Sequence, residues 1–131
     1  MKHYVLGFRF SRNQEYVTLI RKKTPTWQAG LLNGVGGKIE GNETPKEAMI
    51  REFHEEAGVI IPEWEPLIKI TGPDYVLNCF TCSVVAVTKT MTAERVTNFS
   101  IYHIPWNETV PHLKWLIPYA LDPNRKEYTL A

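Results

Sequence analysis

Six glutamates lie within seventeen residues, between Glu40 and Glu56, although the chain of 131 residues has a net charge of only +1. The negative charge is therefore a local feature. On a helix, like charges three and four residues apart repel one another. Divalent cations such as Mg²⁺ bind carboxylate oxygens and bridge them to substrate phosphates. The cluster therefore favours a metal site that acts on phosphates over a solvated face with scattered acids.

The segment from Thr44 to Ala57 is predicted to be the helix that carries this charge. At about 100° per residue, Glu52, Glu55 and Glu56 share one face. The opposite side carries an apolar stripe, which consists of Met49, Ile50, Phe53 and Ala57.

Both ends of this helix have clear signals. Thr44 is the expected N-cap, with Pro45 at the first helical position and Glu47 completing a capping box. Gly58 is the expected stop after the last turn.

Arg51 lies four residues from both Glu47 and Glu55 and can pair with either. A single arginine neutralises only part of the charge on the acidic face. The glycines of "GVGG", just upstream, allow a close backbone approach, so a carbonyl there can be a further metal ligand. The expected chemistry is metal-assisted attack of water on a phosphate. A glutamate that the metal does not fully engage can act as general base.

The stretch from Gly37 to Val59 resembles the signature of the Nudix hydrolase family, G-x5-E-x7-R-E-U-x-E-E-x-G-U, where U is a bulky aliphatic residue. All seven fixed residues match, and Phe53, aromatic at the first U position, is the one departure. The resemblance implies the α/β class and the Nudix fold, an α/β/α sandwich around a mixed β-sheet. It also implies a single Nudix hydrolase domain over residues 1–131, MutT-like, with Mg²⁺ or Mn²⁺ as cofactor.

The same resemblance implies roles for the matched residues. Arg51 would orient the glutamates together with Glu43, and Glu55 would be a metal ligand or the base. The other implied metal ligands are Glu52, Glu56 and the carbonyl of Gly37. Many members add an acid from a later loop, for which Glu94 is the candidate here; a lone surface acid is the alternative.

Substrate contacts are expected from four further residues. "NGVGGK" resembles the start of the box in MutT-like oxidised-purine triphosphatases, which makes Asn33 a candidate for holding the base, with a simple turn residue as the alternative. "LKWLIPYAL" resembles a helix that walls the nucleotide pocket, so Trp115 could stack on a base or belong to the core. Lys38 and Arg21 could contact base or phosphate, or be solvated. Some oxidised-purine hydrolases carry paired aspartates ahead of this helix, whereas this chain has "VPHLKW".

The expected reaction is cleavage of the pyrophosphate linkage of a nucleoside diphosphate derivative. The first hypothesis is a (deoxy)nucleoside triphosphate, including an oxidised purine, that yields a monophosphate and pyrophosphate. The alternatives are a dinucleoside polyphosphate, a nucleotide-sugar or a cap-like substrate. A third hypothesis, of another class, is an inactive nucleotide-binding module.

The elements that must position these residues are predicted as strands mixed with two helices. The predicted strands are 4–10, 15–21, 63–71, 75–87, one ending within 96–105, and the tail "EYTL"; a loop is expected over 22–37. The second helix is expected to begin near Pro111, with Pro118 producing a kink or a late start. Cys79 and Cys82 are predicted to be strand residues on opposite faces rather than a redox or zinc pair.

Composition limits the remaining possibilities. With 44% apolar and 22% charged residues the chain is of ordinary globular composition. Its near-neutral charge argues against a nucleic-acid polymer or an acidic membrane as partner. No secretory leader or bilayer-spanning run is apparent. We expect a cytoplasmic protein, monomeric or homodimeric, whose partner is a small nucleotide.

Overall fold

A computed structural model describes residues 1–126 and 128–130 of the chain. Within them the chain forms eight strands and two α-helices. The strands are β1 (Lys2–Phe10), β2 (Tyr16–Arg21), β3 (Leu32–Asn33), β4 (Val35–Lys38), β5 (Glu65–Thr71), β6 (Tyr75–Ser83), β7 (Val96–Ser100) and β8 (Tyr128–Leu130). The helices are α1 (Pro45–Ala57) and α2 (Leu113–Leu121).

The strands form one mixed sheet in the order β3-β2-β1-β6-β5-β8. β1 and β6 are parallel along their full length. β5 is parallel to β8 over its residues 68–70 and antiparallel to β6. β1 pairs with β2 only at Phe10, opposite Val17, and nearer its start it pairs with β4. β7 adds to β2.

The sheet separates two hydrophobic clusters, one under each helix. Met49, Phe53 and Ala57 of α1 pack in one cluster with Trp64, whose ring meets that of Phe53 edge-on at 5.3 Å. The other contains the α2 residues Leu113, Leu116, Ile117 and Ala120. The fold is thus an α/β/α sandwich around a mixed sheet, as predicted.

Cys79 and Cys82 of β6 lie in different clusters, because strand residues three apart face opposite sides. Both are buried free thiols, so the prediction of two strand residues on opposite faces is confirmed.

Helix α1 has the predicted boundaries and caps. The Thr44 hydroxyl accepts from the Glu47 backbone N–H at 3.1 Å, and the Glu47 carboxylate accepts from the Thr44 N–H at 2.8 Å. Pro45 starts the helix, and Gly58 ends it in the left-handed conformation with φ 78°. These contacts fix where the helix begins and ends, while the packing of Met49, Phe53 and Ala57 against the sheet sets which way the glutamates point.

The prediction of a loop over 22–37 was wrong in part, because this segment contains β3 and most of β4. β4 is glycine-rich, and the missing side chain at Gly36 lets it lie directly against the backbone of Val5 in β1. Local composition predicts a turn here, whereas pairing with β1 makes the segment a strand.

Other boundaries differ by a few residues. β6 ends at Ser83 rather than at 87, and α2 begins at Leu113 and continues through Pro118 to Leu121. The predicted tail strand is present at 128–130, and Glu127 lies outside the described residues. No helix in the described part of the chain is long and apolar enough to span a bilayer.

Candidate active site

Arg51 holds together the upstream acid and the end of β4. Its Nε and one terminal nitrogen form a fork on the Glu43 carboxylate at 2.6 and 3.0 Å. The same terminal nitrogen donates to the Lys38 carbonyl at 3.1 Å. The hydrogen bond to Glu43 is the main reason why the pKa of Arg51 is raised, and it also lowers the pKa of Glu43. Two bonds in one plane give this pair a fixed geometry that a lysine cannot reproduce.

The other terminal nitrogen of Arg51 lies among the helix carboxylates. It donates to Glu52 at 2.8 Å and to Glu55 at 3.1 Å. The Glu52 side chain is only 13% exposed, whereas that of Glu55 is 55% exposed. Arg51 therefore stabilises a buried and a solvent-accessible carboxylate at once, as expected for a residue that orients the glutamates.

Glu52 and Glu56 form a close, poorly solvated pair. Burial raises the pKa of both carboxyls, in Glu52 against the opposing effect of Arg51. Burial and repulsion from Glu52 raise the pKa of Glu56 to about 8. The Oε2 atom of Glu56 is buried without a hydrogen-bond partner among the described residues. At neutral pH such a pair shares a proton that a divalent cation would displace, and it has an unused ligand atom.

The backbone of Gly37 lies against the Glu52 carboxylate. A Cβ atom placed on Gly37 would stand 2.6 Å from the Glu52 carboxyl carbon and Oε1, so only glycine leaves this space free. The approach brings a backbone segment of β4 next to the acidic face of α1. It thus assembles the oxygen-rich donor set that Mg²⁺ and Mn²⁺ prefer.

The residues present fit a divalent cation by their chemistry and by the unpaired oxygen of Glu56. As the side chains stand, no three acidic, histidine or cysteine residues within the described ranges are grouped to hold an ion. Glu52 and Glu55 are instead turned toward Arg51. Glu52 also lies against Glu56, so these two carboxylates are placed to share an ion.

Glu94 lies on the loop before β7 and is bound by the segment that follows β2. Its carboxylate accepts from the Lys22 ammonium at 3.1 Å and from the backbone N–H groups of Lys23 and Thr24 at 2.6 and 3.4 Å. Burial raises its pKa, but these donors outweigh burial, and the pKa is lowered overall. Lys22 and Glu94 both act electrostatically on Glu56. Glu94 is thus near the acidic pair, but its carboxylate already accepts three hydrogen bonds. Its role as a metal ligand stays a prediction.

A cleft of about 690 Å³ opens beside this site. Gly37, Lys22 and Asn33 line it, together with residues of β1, the 3₁₀ turn at 26–28, the start of β6, and His112. The Asn33 side chain is buried, donates to Gln28 Oε1 at 2.9 Å and accepts from the Gly34 N–H at 2.8 Å. Asn33 thus lies at the cleft, and its role in holding a base stays a prediction.

Three predicted substrate residues lie elsewhere. Trp115 is 41% exposed on α2 and is not among the lining residues of the cleft. Arg21 contacts the Glu108 carboxylate at 3.0 Å and the Gly30 carbonyl at 2.9 Å, also outside the lining. The exposed Lys38 lines a separate depression beside Met1. Their roles in binding stay predictions.

Four residues line the cleft that were not predicted to do so: Lys22, Gln28, Tyr75 and His112. Lys22 resembled an ordinary solvated lysine after a strand, and Gln28 and Tyr75 belong to no motif. His112 belongs to the segment "VPHLKW", which lacks the paired aspartates of some oxidised-purine hydrolases. Pairing of distant strands brings these four residues together, so no local signal could have identified them.

Comparisons with known proteins agree with this geometry. The NUDIX domain model matches residues 2–115. The fold is similar to a NUDIX hydrolase from Nitrosomonas europaea (21% identity, TM-score 0.78, 98% of this chain and 78% of that one). It is also similar to a MutT protein from Bacillus halodurans (18%, 0.77, 98% and 88%).

A third similar structure is an ADP-ribose pyrophosphatase from Streptococcus suis, at 14% identity and a TM-score of 0.72, which covers 98% of each chain. Identities this low establish a shared fold and leave the substrate open. The family match covers most of the chain and includes the whole acidic helix. The protein therefore belongs to the NUDIX family, whose members are generally pyrophosphatases that act on nucleoside diphosphate derivatives and use divalent metal ions.

Proposed function

We propose that this protein is a metal-dependent hydrolase of a (deoxy)nucleoside triphosphate, oxidised purines included, which it cleaves to the monophosphate and pyrophosphate. The observation that carries the proposal is the position of Gly37. It lines the cleft and at the same time lies against Glu52. A nucleotide in the cleft would therefore present its phosphates to the acidic pair.

Glu52, Glu56 and the Gly37 carbonyl are the proposed ligands of Mg²⁺ or Mn²⁺. When bound there, the ion would neutralise pyrophosphate charge and lower the pKa of a bound water. Lys22 lines the same cleft, and its ammonium is the proposed partner of the phosphates. In the free protein this ammonium contacts Glu94. A positive charge thus lines the cleft where a substrate phosphate would meet the glutamates.

Glu55 is the proposed general base, because it is the most exposed of the three helix carboxylates and, among the described residues, contacts only Arg51. The water oxygen bonds to phosphorus while the bond from phosphorus to the leaving oxygen breaks. The water proton passes to Glu55. Arg51 keeps Glu55 oriented and is itself fixed by Glu43.

The test is a panel of nucleotides incubated with the protein and Mg²⁺ at pH 7 to 9, with products separated by chromatography. The panel contains nucleoside and deoxynucleoside triphosphates, ADP-ribose, nucleotide-sugars, dinucleoside polyphosphates and a cap analogue. We expect triphosphates to give the highest kcat/KM. Preference for another group would replace the substrate part of the proposal and keep the reaction class.

Glu56→Gln removes a charge from the metal site without changing its size. We expect kcat to fall by about 10³-fold, because metal binding contributes several kcal/mol to stabilising the transition state. Glu63→Gln is the matched control, since Glu63 is exposed and away from the cleft lining. No turnover of any nucleotide would indicate an inactive binding module, and full activity of Glu56→Gln would refute the metal assignment.

A further inference from the structure

Pairing between segments distant in the chain holds His112 beside the cleft. The Val110 N–H donates to the Leu32 carbonyl at 2.9 Å, and Thr109 forms a parallel bridge with the same residue. Leu32 immediately precedes Asn33, and both Asn33 and His112 line the cleft. The fold therefore places an imidazole and an amide side chain in one cavity, although they are far apart in sequence.

The imidazole of His112 has an unused polar atom. Its Nε2 is buried and has no hydrogen-bond partner among the described residues. The His112 carbonyl accepts from the Leu116 N–H at 3.0 Å at the start of α2, so the backbone is engaged and fixed. A buried polar atom without a partner is unfavourable. A ligand in the cleft that hydrogen-bonds to Nε2 would remove this cost.

Burial also lowers the pKa of His112, so the ring is neutral at pH 7. A neutral imidazole has one nitrogen that donates and one that accepts. Asn33 and Gln28 are neutral as well, and their mutual bond leaves further amide hydrogens unused. Among the described lining residues the only acid is Asp74, which is exposed. His112, Asn33 and Gln28 thus offer neutral hydrogen-bonding groups, which match the polar edge of an uncharged nucleobase, in a cleft whose charged lining residues are Lys2, Lys22 and Asp74.

We propose that His112 is a specificity-determining residue that hydrogen-bonds through Nε2 to the edge of the substrate's base. The inference rests on the proposed function in taking the substrate to be a nucleotide. A site that hydrogen-bonds a substrate group discriminates strongly against analogues without that group, because its own buried atom then stays unpaired. His112 therefore sets which base is preferred, while the carboxylates of α1 act on the phosphates.

The first test compares kcat/KM across ATP, GTP, CTP, UTP and their deoxy forms for the wild type and His112→Phe. Phenylalanine keeps a flat ring but cannot hydrogen-bond. We expect the ratio between the best and the worst base to fall by about tenfold or more. The change should lie mainly in KM for the best base, with kcat within about threefold, since the phosphates are bound elsewhere.

Two variants separate recognition from packing. His112→Gln carries an amide that reaches about as far as Nε2, and we expect it to restore part of the preference. His103→Phe is the matched control, because His103 is exposed and does not line the cleft. A uniform loss for all bases in His112→Phe, or an unchanged ratio, would show a packing role and overturn the inference. If His112→Phe does not fold, the ratio in His112→Gln and His112→Asn decides.

A second measurement distinguishes failure of this inference from failure of the proposed function. Binding of the four nucleoside monophosphates to metal-free protein is measured by calorimetry, which requires no catalysis. Base-dependent Kd values that become equal in His112→Phe support the role of His112 even if no triphosphate is hydrolysed. Equal Kd values in the wild type, no binding of any monophosphate, or a dependence unchanged in His112→Phe would overturn it.

Discussion

Arg51 is the residue on which the arrangement of the acidic face depends. It forks onto Glu43 and reaches both Glu52 and Glu55. One cation among several carboxylates lowers their repulsion but leaves the Oε2 atom of Glu56 without a hydrogen-bond partner among the described residues. The acidic face is therefore partly neutralised by Arg51, and a metal ion that displaces the proton of Glu56 would restore the charge of that carboxylate.

Arg51→Lys keeps the positive charge but loses the planar fork on Glu43. We expect kcat/KM to fall by about 10–100-fold, as is usual for a residue that orients metal ligands. Arg125→Lys is the control, because the Arg125 side chain makes exposed contacts, with the Glu65 carboxylate and with the Asp122 carbonyl, each at 3.3 Å. We expect that change to alter stability by less than about 0.5 kcal/mol. Wild-type activity and an unchanged Mg²⁺ requirement in Arg51→Lys would contradict the orienting role.

The raised pKa of Glu56 predicts a pH dependence of stability for the metal-free protein. Its pKa is about 8 in the fold against an ordinary value of 4.5, so the folded state binds the proton more tightly than the unfolded state. Its contribution to stability is fully present below pH 4.5 and is lost as the pH rises through about 8.

Urea unfolding with a metal chelator at several pH values between 5 and 9 measures this contribution. We expect the free energy of unfolding to fall with rising pH in the wild type and in Glu63→Gln, and to fall less steeply in Glu56→Gln. Equal slopes in all three proteins would show that Glu56 is not the group responsible.

At the scale of elements, helix α1 could be predicted almost completely from sequence. Its cap, first-turn proline, apolar stripe and terminal glycine are all local signals, and each lies where predicted. Strands β3 and β4 could not be predicted, because a glycine-rich segment becomes a strand only when a partner strand is available. Helix α2 begins at Leu113 and not near Pro111, where it was expected.

Thr44→Ala removes the hydroxyl of the capping box. We expect a loss of about 0.5–2 kcal/mol in the free energy of unfolding, because the Glu47 N–H loses its partner. Thr44→Ser keeps the hydroxyl and should stay close to wild type. Chemical denaturation of both variants measures the difference; equal stability of Thr44→Ala and Thr44→Ser would exclude the cap as a stabilising contact.

Two glycines of β4 should respond differently to the same change. In Gly37→Ala the new methyl meets the side chain of Glu52, which can move, so we expect folded protein with weaker Mg²⁺ binding. In Gly36→Ala it meets the backbone of Val5, which cannot move without opening the sheet, so we expect a loss of about 1–3 kcal/mol or more. Thermal unfolding and a Mg²⁺ titration of activity distinguish the two. Similar effects of both changes would contradict this placement of the backbone.

At the scale of the whole molecule, the sheet does two things. It buries separate clusters on its two faces, and its strand connections bring 22–37, 74–77 and 109–112 around one cleft. The acidic helix lies at the side of this cleft through Gly37. Position within the sandwich, and not composition, makes His112 a cleft residue and leaves Trp115 outside the lining.

The two cysteines report on the integrity of both layers. Burial raises the pKa of Cys79 and of Cys82 to about 12, so neither thiol should react with iodoacetamide at pH 8 in the folded protein. Because both clusters share one sheet, we expect both thiols to become reactive together across the urea transition. Mass spectrometry counts the alkylated sites. Reaction of one cysteine well before the other would show that the two layers open separately.

Residue spacing was sufficient to identify the family and the acidic helix, and it predicts which residues would bind a metal ion. These depend on spacing along one helix, and spacing is fixed once the helix period is known. Only the tertiary structure decided which residues surround the cleft, that Glu94 is held by Lys22, and that the Nε2 atom of His112 is buried without a partner. Those facts follow from pairing between segments distant in the chain, which leaves no periodic signal in any one of them.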